Sequence, residues 1–260
     1  TRLKETAATQ KRKHHNHNTT PNRCQYLAKQ SPFTYSCEME VQGLVLSFTL
    51  ILGVVAVGVL LSLSKLFSTE FSRKFIHIGV SNWWFILITY FDSLPYALIG
   101  PLFFIVVNTI VVYTNLATTL GISEERRNMG LIYYPITLTL LVILGFKGVF
   151  PLWACGIGMI VMGYGDGLAA VIGGKWGKRK IWGRKTQLGT IVMAVVTFII
   201  LILFSVCYNL RGLWSFPWWF SIILIALTVA LTETYTPYGL DNISVPLVAT
   251  LLSYLFLGGR

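Results

Sequence analysis

An aspartate stands among glycines inside a long apolar run, in Gly163-Tyr164-Gly165-Asp166-Gly167. A carboxylate in apolar surroundings is costly to hold there, so it is the first residue to suspect of chemistry. Gly165 and Gly167 carry no side chain, which lets another group approach the backbone and the carboxylate closely. The run continues as Gly173-Gly174-Lys175-Trp176-Gly177-Lys178-Arg179-Lys180 and then Gly183-Arg184-Lys185-Thr186-Gln187-Leu188-Gly189-Thr190. One carboxylate followed by glycines and six cations between 175 and 185 suits a magnesium-bound polyphosphate. Oxygen ligands serve Mg²⁺, while backbone N–H groups and Lys or Arg serve the phosphates. A basic loop also attracts anionic membrane-lipid headgroups. Asp166 and the interspersed glycines favour phosphate binding.

A second acidic stretch runs from Glu233 to Asp241-Asn242, shortly before Pro246. Two or three carboxylates on one face are what a one- or two-metal phosphoryl-transfer site needs, since that chemistry is mostly positioning and charge neutralisation. Taken alone, Asp241-Asn242 also fits a turn and helix cap; in the site reading Glu233 and Asn242 are expected in support. Arg73-Lys74 precede His77, and on a helix Arg73 and His77 share a face at i, i+4. The two could hold a substrate phosphate, or His77 could take a proton from an alcohol. Cations that snorkel to a membrane surface explain the same spacing. Asn108, inside an apolar run, is an interhelical hydrogen bond or a site residue. Glu124, Glu125, Arg126 and Arg127 form a compact polar loop explained by ion pairing within it. Trp83-Trp84 and Trp218-Trp219 are expected at the membrane interface.

The elements that must position these groups are helices in a bilayer. Of 260 residues, 54% are hydrophobic and 12% charged, which excludes a disordered chain and argues against a soluble one. A bilayer core of about 30 Å takes about 20 apolar residues per helix. Eight stretches qualify, at approximately 41–63, 75–91, 95–114, 130–146, 149–172, 188–208, 214–231 and 243–257. The expected fold is therefore all-α, a polytopic integral membrane protein of about eight transmembrane helices. The shorter stretches are tilted or surround a water-filled site.

The formal charge of +11 suggests nucleic acid until its distribution is considered. Seven of the 21 Lys+Arg lie in the first 40 positions, and from Met39 onward there are 14 Lys+Arg against 8 Asp+Glu, nearly all in short gaps between apolar runs. No nucleic-acid partner is expected. The gaps after the first, third and fifth stretches hold eleven Lys and Arg, whereas those after the second, fourth and sixth hold Lys147 and Arg211. The positive-inside rule puts the first set on the cytoplasmic side, or the stromal side in an organelle, together with Asp166, Glu233 and Asp241. Both chain ends then face away from it, against the basic character of residues 1–38. That polar segment is expected to be disordered and non-native or targeting, with Met39 as a natural start and 39–260 as the membrane-embedded domain. The four cysteines show no metal or redox spacing.

Arg73-Lys74-Phe75-Ile76-His77, Gly165-Asp166-Gly167-Leu168-Ala169 with Gly174-Lys175-Trp176-Gly177-Lys178, Lys185-Thr186-Gln187-Leu188-Gly189-Thr190, and Glu233 with Asp241-Asn242 occur in that order across about 70–250. In this the chain resembles the polyprenol kinase family, which includes phytol, dolichol and CTP-dependent diacylglycerol kinases. The resemblance implies a membrane kinase that moves the terminal phosphate of a nucleotide, typically CTP, to the hydroxyl of a long-chain lipid alcohol. It implies that Asp166 and Asp241 are metal-binding or catalytic, that Lys175 and Lys185 contact phosphate, and that Arg73 and His77 belong to the same site. Members of the family commonly carry an acid where this chain has Leu188, which puts metal binding by that loop and the choice of nucleotide in question. A phosphatidate cytidylyltransferase, making a CDP-lipid and pyrophosphate, shares the membrane setting and the basic Gly-rich segment. A transporter would place ionisable groups near span centres in two related halves, and neither pattern is present.

Overall fold

The computed structural model describes residues 32–64, 66–114, 116, 129–183, 185–210 and 212–258. The polar segment before residue 32, the Glu124–Arg127 loop, Arg184 and Arg211 lie outside the described residues. Two compact units divide the chain, Thr1–Glu38 and Met39–Arg260. The second holds every side chain described below.

All eight apolar stretches are helical. Among the described residues, six helices are long and apolar enough to cross a membrane: α1 (Pro32–Leu63, apolar from Glu38), α4 (Leu94–Tyr113), α5 (Met129–Phe146), the composite Leu152–Trp176, α8 (Gln187–Cys207) and α9 (Phe216–Tyr235). The chain is a multi-pass membrane protein. The remaining two stretches are shorter elements. The second divides at Asn82 into α2 (Thr69–Ser81) and α3 (Trp83–Tyr90), and the last is α10 (Asp241–Leu257, 17 residues). Asn82 causes the break by turning its amide back onto the Ile78 carbonyl at 2.8 Å, while its Oδ1 accepts from the Tyr164 hydroxyl at 3.0 Å. Side-chain bonding to the preceding turn is how Asn competes with the helix.

The composite helix is the axis of the fold. It runs as α6 (Leu152–Ile160), a six-residue π-helical stretch (Val161–Asp166) and α7 (Gly167–Trp176). Of its apolar window 72% is buried, against 17–44% for the other five spanning helices, so its neighbours surround it and face the lipid themselves. Such closeness needs small residues. A Cβ on Gly165 would stand 2.7 Å from the Met193 sulfur of α8, and one on Gly163 would run into the Ser81 side chain of α2. The π stretch adds a residue to the turn, and such bulges recur at functional sites. Here it ends on Asp166.

α2 turns its polar residues inward: Ser72, Arg73, Lys74, His77 and Ser81 are all buried. That orientation follows from the solvent, because lipid offers polar groups no partner. Trp83 and Trp84 correct the expectation of interface anchors. Each is 1% exposed, and the Trp83 indole donates to Ser47 Oγ at 2.7 Å, so both are core residues. Trp218 is likewise buried, stacked edge-on with Trp214 and Trp219 at the start of α9.

The basic loop between α7 and α8 is not featureless. Lys180–Trp182 (β1) pairs antiparallel with Lys185–Thr186 (β2), Lys180 opposite Thr186 and Trp182 opposite Lys185. Gly183, at φ +53°, supplies the left-handed backbone of the turn. Thr186 then caps α8, accepting from the Gly189 N–H and donating to the Gly173 carbonyl, each at 3.2 Å.

Candidate active site

The hairpin has one evident consequence: it carries Lys185 back over the end of the composite helix. There Lys185 Nζ pairs with Glu233 Oε1, stands 3.3 Å from Asp241 Oδ2 and lies 3.7 Å from Asp166 Oδ1. The other oxygen of Asp166 pairs with Lys74 of α2. Oxygens of Asp166, Glu233 and Asp241 lie within 4.8 Å of one another. These three acids are 0%, 2% and 9% exposed, so three formal negative charges and two positive ones share a water-poor space. Each member comes from a different element. Asp166 ends the π stretch, Glu233 lies in the last turns of α9, Asp241 starts α10, Lys74 is in α2 and Lys185 is in β2.

Such a cluster persists only because its charges compensate. Burial by itself would lower the Lys185 ammonium, but Asp166, Glu233 and Asp241 outweigh it and raise Lys185 above the ordinary lysine range. Asp241 is held at the head of α10 by the Asn242 backbone N–H at 3.0 Å and the Asn242 amide at 3.1 Å, both on Oδ1. Its other oxygen faces Lys185. Arg73 donates to Glu70 Oε1 at 2.7 Å, one turn back on α2, so its charge is already matched at the edge of the site.

The donor set suits a hard divalent cation. It consists of carboxylate oxygens, and two buried acceptors, Asp166 Oδ1 and Asn242 Oδ1, have no hydrogen-bond partner among the described residues. Mg²⁺ takes one or two carboxylates together with substrate phosphates in this manner. Asp166, Glu233 and Asp241 are the residues that would hold it.

The structure sorts the sequence expectations. Asp166, Asp241, Lys185 and Lys74 meet in one cluster, with Arg73 and His77 on the same helix as Lys74. Glu233, expected only in support, is a full member. Lys175 and Lys178 do not reach it: both are exposed, and Lys175 lies 4.8 Å over the Trp176 ring. Gly165 and Gly167 serve close packing, Gly167 against Ile78 of α2. Asn108 is the interhelical bond, not a cluster member. Its amide donates at 2.8 Å to the Leu131 carbonyl, the acceptor that Pro135, lacking an N–H, leaves without its helical partner four residues on. Leu188 is half-buried in α8, and the three carboxylates assemble without an acid at that position.

Tyr134 escaped the sequence reading. It is buried, edge-on to His77 with ring centroids 5.1 Å apart, and its hydroxyl is unpartnered among the described residues. A tyrosine before a proline in an apolar run carries no signal of that kind; only the fold brings it to His77.

No family model matches the chain, and no solved structure matches it. Curated relatives do. A phytol kinase of Synechocystis sp. is 31% identical over 228 residues, which cover 82% of this chain and 92% of that protein. Phytol kinase 1, chloroplastic, of Arabidopsis thaliana is 31% identical over 164 residues, 59% of this chain and 53% of the plant protein. A probable phytol kinase 1, chloroplastic, of rice (Oryza sativa) is 29% identical over 143 residues, 52% and 45% of the two. The matches thus span about half the length of the plant proteins and nearly all of the cyanobacterial one.

Proposed function

Since this chain belongs to the polyprenol/phytol kinase family, and so among the lipid-alcohol kinases, we propose that it transfers the terminal phosphate of CTP to the hydroxyl of a long-chain isoprenoid alcohol such as phytol. The observation that carries this reading is the buried cluster of Asp166, Glu233 and Asp241 with Lys74 and Lys185 at the ends of membrane helices. Phosphoryl transfer asks for little else, because the enzyme chiefly positions the two substrates and offsets charge.

In this mechanism Asp166, Glu233 and Asp241 are the residues that would hold Mg²⁺. When bound, Mg²⁺ neutralises charge on the nucleotide phosphates. Lys185, which the hairpin brings over the acids, contacts the transferred group. Lys74, paired with Asp166, holds that carboxylate in place. The alcohol oxygen attacks the terminal phosphorus, the bond from that phosphorus to the bridging oxygen breaks, and the nucleoside diphosphate leaves. The hydroxyl proton passes to His77, whose Nδ1 is buried and unpartnered among the described residues. The exposed Lys175, Lys178, Arg179 and Lys180 border the site and draw the nucleotide toward it. The distribution of Lys and Arg supports a cluster that faces the cytoplasm, or the stroma in an organelle.

The test is an activity matrix of CTP, ATP, GTP and UTP against phytol, farnesol, dolichol and diacylglycerol, with Asp166→Asn as control. Phosphorylated alcohol and nucleoside diphosphate are expected, with CTP preferred. A CDP-lipid with pyrophosphate would make the enzyme a cytidylyltransferase, and no phosphorylated lipid from any pair would end the kinase reading.

A further inference from the structure

Beside His77, residues of α1, α2, α3, α4 and α5 line a cavity of about 230 Å³. Its wall is almost all carbon, from residues such as Val55, Ile76, Phe104, Val107 and Leu138. Three polar side chains line it: His77, Asn108 and Tyr134. The Asn108 amide is already committed to the Leu131 carbonyl. The other two are not. His77 is 6% exposed and Tyr134 is 7% exposed, and His77 Nδ1 and the Tyr134 hydroxyl lack a hydrogen-bond partner among the described residues. Buried polar atoms are rarely left so, and a pair of them converging on one apolar cavity marks a place for a ligand hydroxyl. α2 links the cavity wall to the charged cluster: Lys74, bonded to Asp166, lies one turn before His77.

We propose that this cavity receives the hydroxyl end of a single-chain lipid alcohol, with His77 and Tyr134 bonding the hydroxyl and the hydrocarbon leading away between α1 and α4. The proposal rests on the kinase reading and deepens it by placing the acceptor hydroxyl and naming the residues that bind it. At about 230 Å³ the cavity is smaller than the roughly 300–1,000 Å³ that encloses a drug-sized ligand. It has room for one chain next to the hydroxyl and none for the two ester-linked chains of diacylglycerol. A second determinant is polarity: the esters of diacylglycerol would enter a wall that is almost all carbon, where His77 Nδ1 and the Tyr134 hydroxyl are taken by the substrate hydroxyl.

The experiment has a binding arm and a kinetic arm, both on the full chain in lipid nanodiscs. In the first, a phytol analogue with a diazirine near its hydroxyl end is photolysed without nucleotide, and labelled peptides are mapped. Labels are expected in 51–59, 104–111 and 131–138, and phytol should compete at least tenfold better than diacylglycerol. Labelling confined to lipid-facing positions such as Leu60 and Val106, or equal competition by diacylglycerol, overturns the proposal. In the second arm, Tyr134→Phe should raise KM for phytol about five- to tenfold, the value of one lost hydrogen bond, with KM for the nucleotide unmoved. Val55→Trp should penalise phytol more than a ten-carbon alcohol. An unchanged KM for phytol in both variants overturns the proposal as well. Labelling requires no phosphoryl transfer, so the two readings fail separately. Labels in the cavity without any phosphorylated lipid would sink the kinase and leave the lipid site. Product formation with labels elsewhere would do the reverse.

Discussion

Replacing Lys185 by Met removes the one cation shared by all three acids. At an effective dielectric of about 20, unit charges 3.3 and 3.7 Å apart attract by roughly 5 and 4.5 kcal/mol. Desolvation of the ammonium cancels part of that, and about a quarter of the side chain (26%) is exposed, which screens it further. Removing one partner of a buried ion pair nevertheless costs about 3–5 kcal/mol, because the remaining charges stay buried. Taking the lower end, about 3 kcal/mol, and about 2–4 °C per kcal/mol for a unit of this size, Lys185→Met should lower Tm by about 6–12 °C. Thermal unfolding in nanodiscs can be followed by the fluorescence of the buried Trp83, Trp84 and Trp218. Lys175→Met is the matched control, since that side chain is exposed over Trp176 and should shift Tm by less than about 1 °C. Mg²⁺ should raise Tm more in Lys185→Met than in the unaltered protein, because Glu233 and Asp241 then lose their lysine and Asp166 keeps only Lys74. Equal shifts for the two lysine variants, or a fall of under about 2 °C for Lys185→Met, would refute the reasoning.

Three further outcomes follow from the same contacts. Asp166→Asn should abolish turnover by at least about a thousandfold and, by stranding the buried Lys74, destabilise by about 3–5 kcal/mol; adding Lys74→Met should restore Tm but not activity. Asn108→Leu should cost about 1–3 kcal/mol by orphaning the Leu131 carbonyl, and most of that cost should vanish in a Pro135→Ala background, where the regained N–H serves the same carbonyl. A thermal double-mutant cycle measures it. Gly163→Val would drive its side chain into Ser81 and the His77 carbonyl, moving α2 off the π stretch, so kcat should fall by more than Tm accounts for.

Much of the scaffold was legible in the residues. The apolar stretches came out helical because composition and run length report directly on burial in lipid, and Asp166 stood out because a lone acid in such a run needs a partner. Asp241 and Lys185 could be named from their motifs. The cations of the basic loop could not be told apart by type. Lys175 and Lys178 share the spacing that marks Lys185, yet the Gly183 turn sends Lys185 alone of these three into the cluster.

The sequence by itself determined that this is a helical membrane protein whose charges fall almost entirely in the short gaps between apolar stretches. Those properties are sums over neighbouring residues, and neighbours in sequence are enough to evaluate them. Tertiary structure decided which groups meet. Lys74 and Asp166 are 92 residues apart, Lys185 and Glu233 are 48 apart, and Asn108 finds the carbonyl freed by Pro135 only across two helices. It also moved Trp83 and Trp84 from the interface to the core and set Tyr134 beside His77. The reason is that a buried charge or hydroxyl is satisfied by whatever donor packing brings within about 3 Å, and that distance is a property of the fold.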